Sequence, residues 1–253
     1  MSYRTLSAIA LSGADLRHRS RSAAIVVSSS AMKFIIEVEG PVFDIGPAWH
    51  KAHEDAATQV GWSRMDQARF WALVRSKGRD GDILPGARPI KVKEYQSRFD
   101  ERIEAGDIIG LYAPHAGIVE TLSVLSRFGA CVFFCGGPNV KSRQYLLKTH
   151  ELERFGSEVF PLDLDPRRRP GELRALAAND PRTVVATSTE GIIRAADAAE
   201  LFTVGVLGGA CSAPRLHRAG ARVVYSTLGQ LAESLRGGGR DLVQAGLLPA
   251  PLG

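Results

Sequence analysis

Short apolar runs alternate with amphipathic stretches through the second half of the chain. From about residue 114 onward, the runs at 130–135, 158–162, 183–186, 202–206 and 221–225 have the length of buried strands. The stretches between them have helical spacing, and an earlier run at 33–38 also predicts a buried strand. Strands that alternate with helices of this length predict a parallel sheet covered by helices on both faces, which is an α/β, Rossmann-like fold.

Residues 46–111 have a different pattern. Helical spacing predicts helices near 47–60, 64–77 and 89–104, with a Gly-, Asp- and Pro-bearing break at 78–86. All three tryptophans, Trp49, Trp62 and Trp71, lie in this part of the chain. Aromatic residues at such spacing usually pack helices together. We therefore expect a helical insertion in the sheet domain.

Composition changes this picture little. The chain of 253 residues is 45% hydrophobic and 23% charged, which is ordinary for a globular protein. Its formal net charge is +5, but much of this charge lies within positions 1–31. That segment contains four arginines, Arg4, Arg17, Arg19 and Arg21, and only one acidic residue. The nearly neutral remainder argues against a specific nucleic-acid-binding face.

The cysteines and the two ends set further expectations. The three cysteines do not have the spacing of a disulfide framework, which favours a reducing compartment. We therefore expect a cytoplasmic protein, and no apolar run is long enough to predict a membrane span. Residues 1–31 are rich in Ser and Arg. We expect a flexible tail there, with a transit peptide or a natural start at Met32 as alternatives. Residues 237–253 are expected to form a second flexible tail that is dispensable for folding.

Candidate polar residues follow several of the predicted strands. Glu37, Cys135 and Ser188 each stand at or just after a strand, and Glu39 lies two residues beyond Glu37. The carboxyl ends of parallel strands meet at one edge of a sheet, where ligands bind. These side chains are therefore expected to share one crevice. The turn G-G-P-N at 136–139 would add backbone N–H groups suited to an anion.

Three segments resemble the haloacid dehalogenase-like superfamily, near its phosphoglycolate phosphatases. T-S-T-E-G-I-I-R-A-A-D-A-A-E-L-F-T-V-G-V at 187–206 is similar, without a gap, to the fourth motif of that family. P-H-A-G-I-V-E-T-L-S-V-L-S-R-F-G at 114–129 is similar to the helix before the second motif, and F-I-I-E-V-E-G-P-V-F-D at 34–44 looks like the first motif. The resemblance covers about residues 33–235.

The resemblance implies a core domain of 32–45 and 112–236 with a helical cap at 46–111. It also implies phosphatase chemistry. In that chemistry one Asp attacks phosphorus, and a second Asp, two residues further along the chain, donates a proton to the leaving group. Magnesium is held by the first Asp, a backbone carbonyl and an acid of the fourth motif. A Ser or Thr and a Lys bind the phosphoryl oxygens.

The residues at these positions depart from the family pattern. Glu37 stands at the nucleophile position, Glu39 at the acid/base position and Pro41 at a Thr. The phosphate-binding positions fall on Cys135, Gly136 and Arg169, where Arg169 is the best placement for the Lys. In the fourth motif Ser188 replaces the metal-binding Asp and Ile192 replaces the second Asp.

These departures predict that phosphomonoesterase chemistry is weakened or lost, which would make the protein a pseudoenzyme without a cofactor. The alternative is an active phosphatase that uses magnesium and Glu37 as a variant nucleophile. Compensating oxygens would then come from Asp44, Glu190, Asp163 or Asp165. The expected partners are a small phosphorylated metabolite or another protein. If no metal is bound, Glu37 and Glu39 need protonation or a basic partner such as Arg169.

Overall fold

The described part of the protein is built on a six-stranded parallel sheet. The structure is a computed structural model that describes residues 31–76, 80–137, 139–244 and 247. Its strands are β1 (Met32–Glu37), β2 (Phe43–Asp44), β3 (Ala113–Pro114), β4 (Gly129–Cys135), β5 (Val159–Pro161), β6 (Thr183–Thr187), β7 (Phe202–Val206) and β8 (Val223–Tyr225). The sheet has the order β5-β4-β1-β6-β7-β8, so β1 is a central strand. This confirms the predicted α/β fold.

Helices cover both faces of the sheet, and the central strand β1 is apolar on both sides. Phe34 and Ile36 of β1 pack into one core cluster, and Ile35 between them packs into another on the opposite face. The covering helices are α6 (Ile118–Phe128), α7 (Val140–Thr149), α8 (Arg169–Ala177), α9 (Glu190–Ala198), α10 (Ala213–Ala219), α11 (Leu228–Arg236) and α12 (Arg240–Gln244), numbered after five helices that precede β3. Alternate residues of a buried strand thereby fill two layers.

Those five helices form what we call the helical insertion. They are α1 (Gly46–Gln59), α2 (Gln67–Ser76), α3 (Asp80–Ile83), α4 (Pro89–Ile103) and α5 (Gly106–Ile109). Strands β2 and β3 pair antiparallel on either side of it, with Phe43 opposite Pro114, so the insertion leaves and rejoins the core at one place. A boundary near residues 45 and 112 agrees with this pairing, and the division into core and cap stays a prediction.

The aromatic residues of the insertion pack against one another as expected. Trp49 stacks on Trp71 with ring centroids 6.0 Å apart, and its edge meets Phe99 at 5.7 Å. His53 is fully buried, stacks on Phe70 at 4.7 Å and holds Tyr95 Oη through Nδ1 at 2.8 Å. Its Nε2 accepts the backbone N–H of Met65, and burial lowers the pKa of His53 to about 4. His53 is therefore a neutral structural link between helices.

Several elements were not predicted from the sequence. The β2–β3 pair and α10 were missed, and α3 lies inside the segment predicted to be a break. Both strands of the pair are only two residues long, and α10 has seven residues, too few for a clear periodic pattern.

Within the described residues no helix is both long and apolar enough to span a bilayer. The three cysteines are unpaired and buried.

The expectation of a flexible segment from 237 onward is wrong for the part that the structure describes. Helix α12 follows directly on α11, and Leu242 and Leu247 are buried in the main core cluster. The physical reason is that two leucines five residues apart cover the end of the core without needing a long periodic helix. The tail expected at 1–31 lies outside the described residues, apart from Ala31.

Leu242→Ala should destabilise the protein by about 2–4 kcal/mol, because the side chain is 1% exposed and a buried leucine leaves a cavity when truncated. Urea unfolding measures the change. Leu164→Ala is the matched control, since that leucine is 64% exposed and its loss should change stability by less than about 0.5 kcal/mol. Equal effects of the two substitutions would show that the C-terminal segment does not pack on the core.

Candidate functional site

A cavity of about 190 Å³ opens at the carboxyl edge of the sheet, beneath the helical insertion. Its lining includes six of the residues singled out in the sequence, namely Glu37, Glu39, Gly136, Arg169, Ser188 and Ile192. Trp49 and Glu104 of the insertion complete the opposite wall. Cys135 lies in an adjoining space of about 20 Å³ that shares Glu39 and Gly136 with the cavity. The structure thus brings the candidate residues together, while their chemical roles stay predictions.

Glu37 is the last residue of β1 and its side chain is surrounded by donors. Oε2 accepts from Thr187 Oγ1 at 2.6 Å and from the Ser188 backbone N–H at 2.8 Å. Thr189 Oγ1 donates to Oε1 at 2.7 Å, and Ser188 Oγ lies 3.2 Å from Oε2. The last residue of β6 and the two residues that follow it therefore hold this carboxyl group. The donors restrict the orientation of both oxygens, and Oε1, whose single donor among the described residues is Thr189, keeps a further lone pair.

The pKa of Glu37 is raised above its ordinary value of 4.5 because burial disfavours the charged form. Hydrogen bonds from Thr187, Thr189 and the Ser188 backbone lower it, but they do not cancel the effect of burial. The side chain is only 4% exposed. Glu37 is therefore a buried carboxyl group whose partners among the described residues are neutral donors.

Ser188 is the residue for which the resemblance implies a metal-binding acid in the family, and that assignment stays a prediction. Its Oγ lies 3.1 Å from the backbone oxygen of Glu39 and 3.2 Å from Glu37 Oε2, so its single hydrogen can serve one of them at a time. Its side chain fills the space beside two glycines. A Cβ on Gly40 would come within 2.3 Å of Ser188 Oγ, and one on Gly209 within 2.2 Å. Gly40 and Gly209 therefore cannot be replaced by a residue with a side chain while Ser188 stays in place.

Ile192 has become a core residue. It is 1% exposed and packs with Ile35, Phe134, Leu173 and other residues on the α8–α9 face of the sheet. The position of a second acid in the family pattern is thus used here for apolar packing. An Asp at this position would place a charge in that cluster, which is unfavourable without a partner.

The residues at this edge do not fit magnesium. Magnesium requires oxygen ligands in near-octahedral geometry, usually with carboxylates among them. Glu37 is held by hydroxyl and amide donors, and Ser188 offers only a neutral hydroxyl. Within the described ranges, no three His, Cys, Asp or Glu side chains are grouped so as to hold a metal ion.

The carboxylates considered as substitutes have other partners. Asp44 Oδ1 accepts the backbone N–H of Gly46 at 2.8 Å, at the start of α1. Glu190 is paired with Arg194 and with Arg215. The loop acids Asp163 and Asp165 pair with Arg168 and Arg167, at 3.0 and 2.7 Å. None of the four is among the described residues that line the 190 Å³ cavity.

Glu39 has a basic partner, but it is not the one that was expected. Arg143 Nη2 donates to Glu39 Oε1 at 2.6 Å, and Tyr112 Oη donates to the same oxygen at 3.1 Å. Arg143 Nη1 also donates to Glu104 Oε2 at 2.6 Å, and Asn139 Nδ2 donates to that oxygen at 2.6 Å. One guanidinium group of the core therefore binds a loop of the core and the end of α4 in the insertion.

This arginine is almost completely enclosed. Arg143 is 4% exposed, and its Nε has no hydrogen-bond partner among the described residues. Burial opposes ionisation of Glu104, but hydrogen bonds from Arg143 and Asn139 outweigh it and lower the pKa of Glu104. Glu104 is therefore held in its charged form, and Arg143 pairs with both it and Glu39.

Cys135 and Arg169 differ in how far they can serve a phosphate. Burial raises the pKa of Cys135 to about 11, and its Sγ lies 3.5 Å from the backbone oxygen of Gly137, so it is a neutral thiol and a weak donor. Arg169 lines the cavity and donates to the backbone oxygens of Asp163 and Leu164 at 2.7 and 3.3 Å. It pairs with neither Glu37 nor Glu39, so its expected role as their counter-ion is wrong.

Sequence reasoning missed Arg143, Tyr112, Glu104 and the two threonines that flank Ser188. A weak signal existed for Arg143, because it stands one turn into the helix that follows G-G-P-N. Its partner Glu104 is 39 residues earlier in the chain, and nothing in either local pattern connects them.

The fold has clear relatives among solved structures. A hydrolase of the haloacid dehalogenase-like family from Streptococcus pneumoniae superposes with a TM-score of 0.65 at 11% identity, covering 81% of this chain and 99% of that one. A predicted phosphatase from Clostridium acetobutylicum gives 0.62 at 13%, covering 82% and 100%. A predicted phosphoglycolate phosphatase from Haemophilus somnus gives 0.59 at 12%, covering 82% and 99%.

No family model matches the sequence, and no curated protein matches it either. At identities of 11–13% the structural likeness establishes the fold and not the activity. The predicted resemblance to the haloacid dehalogenase-like fold is confirmed.

Glu37→Gln should stabilise the protein at pH 8 and change little near pH 4. Because the pKa of Glu37 is raised in the folded state, its contribution to the free energy of unfolding is fully present below pH 4.5. That contribution is lost as the pH rises through the pKa of the folded state. Glutamine keeps the shape and removes the buried charge, and hydroxyl groups can rotate to accept from its amide. Thermal unfolding across this pH range measures the difference.

Glu37→Ala serves as the control, because it leaves the donors of Thr187, Ser188 and Thr189 unpaired and should lower the melting temperature at every pH. A Glu37→Gln variant that is less stable than the native protein at pH 8 would mean that the negative charge is needed, as it would be beside a cation.

Arg143→Met should destabilise the protein by about 2–3 kcal/mol, because it leaves Glu39 and Glu104 facing each other without a cation. The estimate lies below that for a fully buried pair because both acids reach solvent. The matched control is Arg98→Met, which breaks an exposed ion pair with Glu101 and should cost less than about 1 kcal/mol. Urea unfolding distinguishes the two, and similar losses would show that Arg143 does not link insertion and core.

Proposed function

We propose that this protein of haloacid dehalogenase-like fold does not hydrolyse phosphate monoesters and instead binds a small ligand between the sheet edge and the helical insertion. The observation that carries the proposal is the environment of Glu37. Its carboxyl group is held by Thr187, Ser188 and Thr189 where a phosphatase of this fold would hold a metal and present a nucleophile. The protein is in this sense a pseudoenzyme.

Each step of the family chemistry lacks a suitable group. The attacking carboxylate is bound by donors, and Ser188 gives no charge for a metal. Glu39, which the resemblance sets at the acid/base position, already accepts hydrogen bonds from Arg143 and Tyr112 at Oε1, so that oxygen is engaged away from a substrate. Losses that act together on nucleophile, metal and proton transfer support absence of turnover rather than a slower reaction.

Ligand binding is supported by the space that the fold keeps. The cavity at the sheet edge adjoins a second one of about 480 Å³ inside the insertion, and Trp49 and Ala210 line both. Cavities of this order suit small molecules. A phosphorylated metabolite is the second candidate ligand, which Arg169 favours as a guanidinium group on the cavity wall. A cytoplasmic location and a protein partner stay predictions.

The test is an assay of purified protein against a panel of phosphate monoesters with magnesium or manganese. We expect phosphate release at least a thousandfold below the roughly 10 s⁻¹ of a typical enzyme. Turnover on the order of 1 s⁻¹ or more that Glu37→Ala abolishes would establish the alternative, a phosphatase with Glu37 as nucleophile. Calorimetry with magnesium should show no binding to the native protein, and tight binding would contradict the proposed loss of the metal site.

A further inference from the structure

The helical insertion is bound to the core at the ends of two of its helices. The end of α4 contacts the start of α7, and the end of α2 contacts the start of α10. In the chain α7 follows β4 and α10 follows β7, and these two strands lie on opposite sides of β1 in the sheet. The insertion is therefore held on both sides of the central strand.

The first contact is made by the buried arginine of α7. Arg143 Nη1 and Asn139 Nδ2 both donate to Glu104 Oε2 at 2.6 Å, and Arg143 Nη2 lies 3.1 Å from Glu104 Oε1. Both oxygens of the glutamate, which directly follows α4, are thus engaged by the core. Because Arg143 is only 4% exposed, water cannot easily replace this partner.

The second contact is made by an arginine of α10. Arg215 Nη1 lies 3.0 Å from the backbone oxygen of Val74 and 3.3 Å from that of Arg75, and the Ser212 backbone N–H donates to the latter. Carbonyls in the last turn of a helix lack intrahelical donors, and a cation is favourable there. Glu190 Oε2 orients the guanidinium group by accepting from its Nε and Nη2 at 3.2 and 3.1 Å.

These two contacts oppose movement of the insertion as a lid. A lid would turn about the β2–β3 pair, where the insertion leaves and rejoins the core. Such a turn would separate Arg143 from Glu104 and Arg215 from the end of α2 in one step. Each separation leaves a largely enclosed charged group without its partner, which is unfavourable.

The sheet-edge cavity has an opening that needs no such movement. A space of about 410 Å³ at the start of α9 shares Trp49, Ser188, Thr189 and Ala210 with that cavity. Its lining includes Arg194, whose side chain is 62% exposed, so this space reaches the surface. A ligand can therefore reach the sheet edge while the insertion stays in place.

We propose that Arg143 and Arg215 are two clamps that fix the helical insertion on the core, so that the insertion is a permanent wall of the sheet-edge cavity and not a lid. The clamps act from opposite sides of β1, and opening requires the release of both. The proposal concerns the conformation of the protein and does not depend on which ligand it binds or on whether it hydrolyses phosphate monoesters.

Cys135 reports on any opening at the first clamp. It is 1% exposed and lies in the space of about 20 Å³ to which the insertion contributes Glu104, whereas the other described residues of that lining belong to the core. Lifting the insertion would thus uncover the thiol. The reagent is N-ethylmaleimide, and fragmentation in the mass spectrometer separates the label on Cys135 from that on Cys131, which shares its tryptic peptide.

The native protein is labelled at increasing urea concentrations below its unfolding transition. We expect Cys135 to react only through global unfolding, so its protection should match the unfolding equilibrium constant within about tenfold and fall with the same dependence on urea. Labelling that is faster than this, with little dependence on urea, would overturn the proposal, because a lid opens without exposing the core.

Arg143→Met combined with Arg215→Met tests the clamps. Cys135 of this variant should react more than about tenfold faster than the variant's own unfolding equilibrium allows. The matched control combines Arg98→Met with Arg167→Met, which break two exposed ion pairs and should leave labelling limited by unfolding. Unfolding-limited labelling of the double-clamp variant would overturn the proposal. If that variant does not fold, the labelling of the native protein decides.

Discussion

The site is organised by one constraint, which is that a carboxyl group buried at the end of the central strand must be held by something. In an active enzyme of this fold a divalent cation offsets the acids gathered at this edge. In this protein Thr187, Ser188 and Thr189 donate hydrogen bonds to the carboxyl group of Glu37. These donors lie at the end of β6 and in the turn before α9, so the same contacts join the ends of the neighbouring strands β1 and β6. The hydrogen bonds to Glu37 thus form the structural centre of the site.

The second acid is stabilised in a different way, and the difference matters for the whole molecule. Glu39 lies beside Arg143, which also binds Glu104 at the end of α4. The pair of Glu39 and Arg143 is part of the contact that holds the helical insertion against the core. The two carboxylates that look equivalent in the sequence therefore have separate roles, one within the core and one between core and insertion.

Much of the fold could be predicted because its signals are local. The apolar runs mark the strands, and strand ends of a parallel sheet meet, so Glu37, Cys135 and Ser188 could be brought to one edge from spacing alone. The hydrogen-bond partners of Glu37 and Glu39 could not be predicted in this way. Glu104 meets Arg143 only because the insertion folds back on the core, and no local pattern records that contact. The packing of Leu242 was missed for the same reason, since its neighbours are distant in sequence.

The fit of Ser188 between Gly40 and Gly209 has a consequence for how the chain can change. A Cβ on either glycine would collide with the serine side chain, so neither loop can take a larger residue at these positions while Ser188 stays in place. Gly40 in addition has a φ of +90°, a backbone conformation that residues with a Cβ rarely adopt. The three positions are therefore coupled, and a change at either glycine requires a compensating change at Ser188 or a movement of its loop.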